Sequence, residues 1–457
     1  MLSVSKWAQQ QWGAIELGDK RRNDRAIQLG AQIAALPDAT LPGQTQSWAD
    51  LKAAYRLLHS GDVTHEAISL PHWRLTRQTA QHSEGPVLFI QDGSQLDFTG
   101  RDAQGLGRIG DDRGQGLLIH SALAIRPGTA PEILGLAHQV VWIRESPPHK
   151  PNETRVQRYR RADRESAHWH ETLEAIGNAP GHACWISVGD RESDVFHYWR
   201  RAKALGWECL LRFRCDRTIL RDDDRPDHLF GWVRQLPAQA QQALTLRSRP
   251  DRTARMATLN VAWGCTRIVP PKNDPQSKGV APLTVWVVRV REETTPAGEE
   301  PLEWLLLSTL PVENAQQANE RVAWYRNRWL IEQYHKALKS GCRMEDSQLQ
   351  QGQALTRLLG FLSVVAVRLL QVESMARTVP HRPADRKVDT EMLAFLCYLR
   401  HLDPAGMTVY QFWRELAKLG GFLARKNDGA PGWQTLWRGW NFFYLRFEGY
   451  LLGKRCG

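Results

Sequence analysis

Two short apolar runs that each end in an aspartate constrain the fold of this chain more than any other feature. PVLFIQD ends at Asp92 and CWISVGD ends at Asp190. Apolar runs of this length are typical of strands that are buried on both faces of a sheet. Two further strand-like segments and a polar helical stretch lie between the runs, and a helix follows the second run. This order of three strands, a helix, a fourth strand and a helix predicts a mixed α/β sheet.

Segments with other patterns flank this α/β region. Residues 1–70 read as short amphipathic helices separated by polar breaks, and the last part of the chain also reads as helical. Residues from about 216 to 310 are rich in strand-forming runs divided by turn segments, which predicts an inserted β region whose last strands rejoin the main sheet. We therefore expect a helical N-terminal domain (1–70), an α/β domain with its insertion (71–375) and a helical C-terminal domain (376–457).

The charge balance predicts a polyanionic partner. The 457 residues carry 60 Lys and Arg against 49 Asp and Glu, a formal net charge of +11. Such a surface favours either nucleic acid or an acidic membrane. The 19 Trp exceed what a core of this size usually needs, so some of them are candidates for stacking on bases, although most fill the core.

The N-terminal stretch and the cysteines predict a cytoplasmic protein. No apolar segment of a secretory signal opens the chain, and the longest apolar run, LLGFLSVVAVRLLQV, is interrupted by Arg368 and reads as too short to span a bilayer. The seven Cys are scattered and form no C-x-x-C pair, which argues against a zinc ribbon or a disulfide framework and fits a reducing compartment. We expect no membrane association.

The segment YRNRWLIEQYHKALKSG (325–341) combines an acid with basic residues on one predicted helix. At about 100° per residue, Tyr325, Arg328, Glu332 and Lys339 fall within an arc of roughly 60° along four turns. Such spacing is often only a solvated salt-bridge stripe. From this segment alone, a solvated salt-bridge stripe and a functional site are equally good interpretations.

Three carboxylates on rigid elements predict a metal site. Asp92 and Asp190 stand at the ends of predicted strands, where α/β sheets commonly bind ligands, although either alone reads as a turn or capping residue. With Glu332 they are enough to hold two Mg²⁺ ions about 4 Å apart for phosphodiester chemistry, and we expect Mn²⁺ to substitute. Asp97, Glu192 and Asp194 are the local competitors and rank lower, since they lie past the strand ends.

The motif Y-(2)-R-(3)-E-(6)-K, carried by Tyr325, Arg328, Glu332 and Lys339, is specific in both residue type and spacing. Together with IQDGS and VGDRESDVF, in that order, it resembles the DDE transposases of bacterial insertion sequences, specifically the hairpin-forming IS-four family. The similarity extends from LGDKRRNDRA near the start to WQTLWRGW near the end. The chain departs from the family in one box, where Gly and Ser follow Asp92 instead of two threonines.

The resemblance implies an RNase H-like catalytic core with an inserted β region, an N-terminal DNA-binding domain and a C-terminal dimerisation domain. It implies that Asp92, Asp190 and Glu332 bind the metal ions. It also implies that nine residues contact DNA. At the cleaved end, Trp304 would stack on a flipped base and the others would hold phosphates, whereas the N-terminal arginines would contact the terminal repeat: Tyr325, Arg328, Lys336, Lys339, Trp304, Arg21, Arg22, Arg25 and Arg56.

The expected activity is cut-and-paste transposition. A homodimer would hold double-stranded terminal inverted repeats, nick each 3′ end, form and open a hairpin, and join the end to target DNA, in the nucleoid of a bacterial cytoplasm. Two alternatives remain at this point. One is a domesticated DNA-binding protein that no longer cuts, and the other is an RNase H-like nuclease without strand transfer, which would not need the basic stripe or Trp304. Trp304 could also be a core residue of a buried strand.

Overall fold

A computed structural model describes most of the chain. The described residues are 3–45, 47–111, 113–144, 154, 157, 165–246, 254–272, 274–296, 298–378, 380–425 and 428–456. The α-helices are Val4–Trp12, Lys20–Ala35, Leu41–Gln44, Trp48–His59, His65–Gln81, Ala167–Ile176, Phe196–Ala204, Leu229–Gln235, Ala315–Arg326, Trp329–Lys336, Gly352–Thr378, Thr390–Arg400, Val409–Leu419 and Trp433–Cys456.

The strands of the described residues form one mixed sheet. They are β1 (Pro86–Asp97), β2 (Gly107–Ile109), β3 (Gly114–Arg126), β4 (Glu132–Trp142), β5 (Cys184–Gly189), β6 (Glu208–Arg212), β7 (Thr218–Leu220), β8 (Pro226–His228), β9 (Ala240–Leu246), β10 (Arg255–Ile268), β11 (Leu283–Glu292) and β12 (Glu303–Ser308). The order is β2-β3-β1-β5-β6-β12-β11-β10-β7-β8, with β4 beside β3 and β9 beside β10.

The centre of the sheet combines both strand directions. β3 runs antiparallel to β1, whereas β5 is parallel to β1 and β6 is parallel to β5. The strands between 216 and 310 extend this sheet, because β12 pairs antiparallel with β6. The fold is therefore mixed α/β with helical termini.

Helices cover both faces of the sheet, which explains why the first half of β1 and most of β3 and β5 are continuously buried. One face packs against the helices Ala167–Ile176, Phe196–Ala204 and Leu229–Gln235. The other face packs against the N-terminal helices, the long helix Gly352–Thr378 and the C-terminal helices, and these share a single apolar core. A strand covered on both sides gains nothing from alternating polar residues.

The long helix corrects one expectation from the sequence. Its segment Gly352–Met375 is long and apolar enough to cross a membrane, but 89% of its most apolar window is buried inside the protein. The buried Arg368 in this helix lies with its guanidinium 4.6 Å from the centre of the Trp7 ring. The run is thus not too short to span a bilayer, and its burial is that of a core helix.

Trp12 joins the N-terminal helices to this core. Its indole Nε1 donates a hydrogen bond to the carbonyl oxygen of Ile68 at 3.1 Å, and its ring packs against Phe361. The helix Lys20–Ala35 crosses the same ring at Gly30, where an added Cβ would lie 2.4 Å from a ring carbon. The close approach of this helix to Trp12 therefore requires glycine at position 30.

We expect Gly30→Ala to lower the Tm of the full chain. In an open helix this change would stabilise by about 1 kcal/mol, but forcing a methyl group into a packed core costs about 1–3 kcal/mol. The fixed ring of Trp12 decides the sign. Gly61→Ala is the control, because nothing lies within 4 Å of its added Cβ. Thermal unfolding checks both variants, and an unchanged Tm for Gly30→Ala would show that the helices can separate freely.

Candidate active site

Two neighbouring parallel strands bring Asp92 and Asp190 together. Asp190 directly follows β5, as predicted, and its carboxylate accepts a hydrogen bond from the Glu192 backbone at 2.8 Å. Asp92 does not end its strand, because β1 continues to Asp97 through pairing with β3. The parallel pairing with β5 stops at Ile90, so Asp92 still lies where β1 has lost its neighbour on that side.

The negative charges of these acids repel one another. Burial, and then the nearby charge of Asp190, raise the pKa of Asp92 to about 7, although the Arg328 guanidinium opposes the rise. Burial and Asp190 also raise the pKa of the Glu192 carboxyl. Glu192, which the sequence ranks below the other acids as a metal ligand, therefore lies near Asp190. Asp92, Asp190 and Glu192 thus concentrate negative charge unfavourably where β1 and β5 stop pairing.

A buried hydrogen-bond network fixes the two strands directly behind Asp92. The Gln91 amide nitrogen donates to the Ser187 hydroxyl at 3.2 Å and to the Tyr198 hydroxyl at 3.0 Å. The Gln91 amide oxygen lies 3.1 Å from His120 Nε2, and burial lowers the pKa of that imidazole to about 3. The imidazole is therefore neutral, and the network joins β1 to β5 without adding charge.

The predicted single helix over 325–341 is interrupted in the structure. One helix ends at Arg326, a second begins at Trp329, and a π-helical turn spans Ala337–Gly341. Arg328 keeps helical backbone angles (φ −53°, ψ −33°), so it still faces Glu332 one turn later. The π turn changes the angular progression after the second helix. A constant 100° per residue could not predict either interruption.

Arg328 connects two of the predicted acids. Its guanidinium lies 3.1 Å from an Asp92 carboxylate oxygen and also pairs with Glu332. Asp92 is largely buried, whereas the side chain of Glu332 is 57% exposed. Within the described residues no group of three or more His, Cys, Asp and Glu is arranged to hold a metal ion. One guanidinium therefore bridges Asp92 and Glu332 in this arrangement.

Buried side chains dock the Glu332 helix onto the sheet. The Gln139 amide on β4 donates to the Tyr334 hydroxyl at 3.1 Å and to the Ser121 hydroxyl at 3.0 Å. His335 Nε2 lies 3.4 Å from the same Ser121 hydroxyl. Ser121 is the direct cross-strand partner of Asp92. One polar cluster therefore fixes the helix that carries Glu332 relative to the strand that carries Asp92.

The other residues predicted to hold the cleaved DNA end lie in two places. Tyr325 is buried, and its ring centre lies 6.1 Å from that of the half-buried Trp304, so Trp304 is not fully enclosed in the core. Lys336 is exposed one turn beyond Glu332. The Lys339 ammonium lies 3.6 Å from the Glu345 carboxylate, near the end of β1, because Glu345 also accepts from the Asp97 backbone.

Sequence reasoning missed Arg212, at the end of β6. Burial, and then repulsion from Arg191, lower the pKa of its guanidinium, and its neighbours include Tyr325, Arg328 and Asp190. An arginine directly after a buried strand (LLR) is the signal that could have identified it. Arg212 therefore adds a cation to the same edge of the sheet.

Asp194 is a structural residue. It is buried, pairs with Arg217 at 2.8 Å and accepts hydrogen bonds from the backbone N–H groups of Arg214 and Cys215. Its low rank as a metal ligand agrees with these contacts. The Asp97 carboxylate accepts from the Thr99 backbone at 2.8 Å and closes a turn.

The four N-terminal arginines differ in how they are held. Arg25 forms an ion pair with Asp50 at 2.7 Å, and Arg22 forms one with Asp62 at 2.8 Å. Arg21 and Arg56 are exposed, and no described carboxylate lies within 4 Å of them. Arg22 and Arg25 connect parts of the N-terminal region, whereas Arg21 and Arg56 are available to a ligand.

The helix Trp48–His59 also exposes aromatic side chains that sequence reasoning did not single out. Trp48 is 76% exposed and Tyr55 is 37% exposed. They lie on one side of the helix with Lys52 and Arg56, at spacings of three, four and seven residues. Aromatic rings between cations at helical spacing were the available signal.

Comparison with known families agrees with this basic surface. A family model described as "Transposase DNA-binding" matches residues 4–63. The match contains Arg21, Arg22, Arg25 and Arg56. It supports a transposase, an enzyme class that acts on DNA, with DNA as the partner of the N-terminal region.

We expect Asp92→Asn to stabilise the protein at pH 8 and to lose that effect by pH 5. The folded pKa of Asp92 lies above its unfolded value, so the folded chain binds this proton more tightly. Stability therefore falls as pH rises from about 4 to 7, by at most about 1.4 kcal/mol per pH unit. Asp97→Asn is the control on the same strand, because its pKa is lowered in the fold. Tm values at both pH values check the signs, and a pH-independent difference for Asp92→Asn contradicts the expectation.

We expect Arg56→Ala and Arg25→Ala to act differently. Arg56→Ala should weaken binding to random-sequence duplex DNA, reduce the slope of log K against log salt by about 1, and leave the Tm unchanged. Arg25→Ala should lower the Tm, because it leaves the half-buried Asp50 without its cation. Fluorescence anisotropy over a range of salt concentrations measures the first effect. Equal salt slopes for Arg56→Ala and the native chain would exclude Arg56 from the DNA interface.

Proposed function

We propose that this protein is a cut-and-paste DNA transposase of the IS-four type, with an RNase H-like catalytic core. The observation that carries the proposal is the convergence of Asp92, Asp190 and the Arg328–Glu332 pair at one edge of the sheet. The four residues come from three distant segments, and the spacing of two of them is part of the transposase motif. A salt-bridge stripe on a solvated helix has no reason to meet two strand acids.

The strand arrangement supports the RNase H-like core. β4, β3 and β1 are antiparallel neighbours, and β5 and β6 follow parallel to β1. In the proposed division, residues 71–375 form this domain, with the β-rich insertion at about 216–310 continuing its sheet. Residues 1–70 would bind DNA, as the family match favours.

We propose that Asp92, Asp190 and Glu332 hold two Mg²⁺ ions, for which Mn²⁺ can substitute. The donor chemistry fits, because Mg²⁺ prefers carboxylate oxygens. Burial, and then the charge of Asp190, raise the pKa of Asp92, and a bound cation would favour its ionised form. The three carboxylates would have to come together around the ions, because the described residues contain no such group in this arrangement. When bound, the ions would activate the attacking oxygen and stabilise the leaving oxygen of a phosphodiester. In this structure Arg328 pairs with two of these carboxylates, Asp92 and Glu332.

The surrounding cations would hold the DNA end. Arg328, Lys336 and Lys339 would bind phosphates, and Arg212 joins them from β6, since it lies beside Tyr325. Tyr325 would hold its hydroxyl toward the same phosphates while its ring supports Trp304. Because Trp304 is only partly covered, it can stack on a base that has left the helix.

One site of this kind can serve each step of the reaction. Hydrolysis of one phosphodiester frees a 3′-OH. That hydroxyl then attacks the opposite strand, which expels a 5′ flank and closes a hairpin. Water reopens the hairpin, and the same 3′-OH attacks target DNA. Every step transfers a phosphoryl group at one bound end, so the DNA can stay on the same arginines and lysines throughout.

We propose that the C-terminal region, residues 376–457, forms a homodimer interface. The helix Trp433–Cys456 exposes Phe442 (41%), Leu445 (58%) and Leu452 (56%) in the monomer. Apolar side chains at this density are typical of a surface that a partner covers. A DNA-binding enzyme of this kind would act at the bacterial nucleoid in the cytoplasm.

We expect the purified protein, Mg²⁺ and linear DNA carrying the terminal inverted repeats of its own element to yield a fold-back hairpin on a denaturing gel. Glu332→Ala should abolish cleavage, whereas Glu313→Ala, an exposed glutamate outside the site, should not. Trp304→Ala should still nick but should form hairpins at least about fivefold more slowly, since base stacking is worth about 1–3 kcal/mol.

The products separate the alternatives. Nicks without hairpins favour the nuclease without strand transfer. DNA binding without any cleavage, with Mn²⁺ also tried, favours a domesticated DNA-binding protein. Cleavage that survives Asp92→Ala, Asp190→Ala or Glu332→Ala overturns the triad.

A further inference from the structure

A cavity of about 440 Å³ opens beside the candidate acids, at the boundary between the core sheet and the β insertion. Arg191 forms part of its wall, and this residue directly follows Asp190. Phe213 and Leu305 form its floor and belong to the apolar core on the face of the sheet opposite the N-terminal helices. The cavity therefore lies next to Asp190, on the face of the sheet opposite the N-terminal helices.

The cavity carries a large excess of positive charge. Four arginines line it, and Glu303 is its one lining carboxylate. Glu303 is itself paired with Arg289, whose Nε lies 3.0 Å from its oxygen. No carboxylate among the described residues lies within 4 Å of the lining arginines, which are Arg191, Arg212, Arg214 and Arg234.

Arginines elsewhere in the insertion behave differently. Arg217 pairs with Asp194, and Arg255 pairs with both Glu292 and Glu299. Ion pairing is thus common for arginines of this region, whereas the four arginines that line the cavity have no such partner among the described residues. Unpaired cations around a concave surface concentrate positive potential and favour an anion.

The wall contributed by the insertion adds a stacking surface. The Phe230 ring is half-buried and stacks on Phe213, with ring centres 5.8 Å apart and an interplanar angle of 23°. The Arg234 guanidinium carbon lies 5.5 Å from the centre of the Phe230 ring. Rings and guanidinium planes are the groups on which unpaired bases stack.

We propose that this cavity is a second DNA subsite, which holds a nucleotide of a strand next to the cleaved phosphodiester. Arg191, Arg214 and Arg234 would bind its phosphate, and its base would lie against Phe230. The volume suits a ligand of that size, since small-ligand pockets run from about 300 to 1,000 Å³. The inference rests on the proposed function and extends it by assigning a role to Phe230 and Arg234 of the β insertion. Strands of the element's own end and of target DNA share the required chemistry.

Two variants and a crosslink test the subsite in the full-length protein. Arg214→Ala combined with Arg234→Ala should weaken DNA binding about tenfold and reduce the salt slope by about 2, because two phosphate contacts are lost. Arg200→Ala is the matched control, since Arg200 is exposed on the same side of the sheet but does not line the cavity. Replacing Phe230 with photoreactive p-benzoyl-phenylalanine should crosslink DNA, whereas the same replacement at the exposed Tyr398 should not.

Labelling the element's end and the target duplex separately shows which of the two DNAs enters the cavity. A crosslink to an oligonucleotide of the element's end assigns the cavity to that DNA, and a crosslink to an unrelated target duplex assigns it to the target. No crosslink above the Tyr398 control, with a salt slope equal to that of Arg200→Ala, overturns the inference. If the native protein cleaves its own ends while these variants match the control, only the subsite fails. If the native protein neither cleaves nor nicks, the proposed function fails as well.

Discussion

The parallel pairing of β1 with β5 is the constraint on which the rest of the site depends. It sets Ile90 opposite Val188, so Asp92 and Asp190 both emerge two residues later at the same edge. Gln91 then fixes the two strands from behind through Ser187 and a tyrosine hydroxyl. A buried amide with every group bonded specifies one register more strictly than an apolar residue would, because a slipped strand would leave it unsatisfied.

Arg328 resolves the electrostatic conflict that this register creates. Burial, and then the nearby charge of Asp190, make an ionised Asp92 unfavourable, and its raised pKa expresses that cost. Arg328 reduces the cost and at the same time orients Glu332 toward the strands. The spacing of the motif then has a physical reason: the arginine lies one helical turn from the glutamate, where one guanidinium can pair with both acids.

The parts of this site that depend on local sequence were predictable, and those that depend on distant pairing were not. Asp190 follows its strand as expected, and Asp19 caps the helix Lys20–Ala35, since both features are encoded within a few residues. The continuation of β1 beyond Asp92 depends on β3, more than 20 residues away, and has no local signal. The π turn after the Glu332 helix and the union of Arg191, Arg214 and Arg234 in one cavity likewise come from tertiary packing.

The distribution of ion pairs says more about DNA contact than the net charge does. A formal charge of +11 predicts a polyanionic partner but assigns it to no surface. Arg22 and Arg25 lie in a basic cluster, yet each forms an ion pair with an aspartate, so their positive charge is largely offset within the protein. Arg56 and the arginines of the cavity lack such partners among the described residues. A phosphate can bind an unpaired guanidinium without breaking an ion pair inside the protein, so the pairing pattern favours Arg56 and the cavity over Arg22 and Arg25 as places of DNA contact.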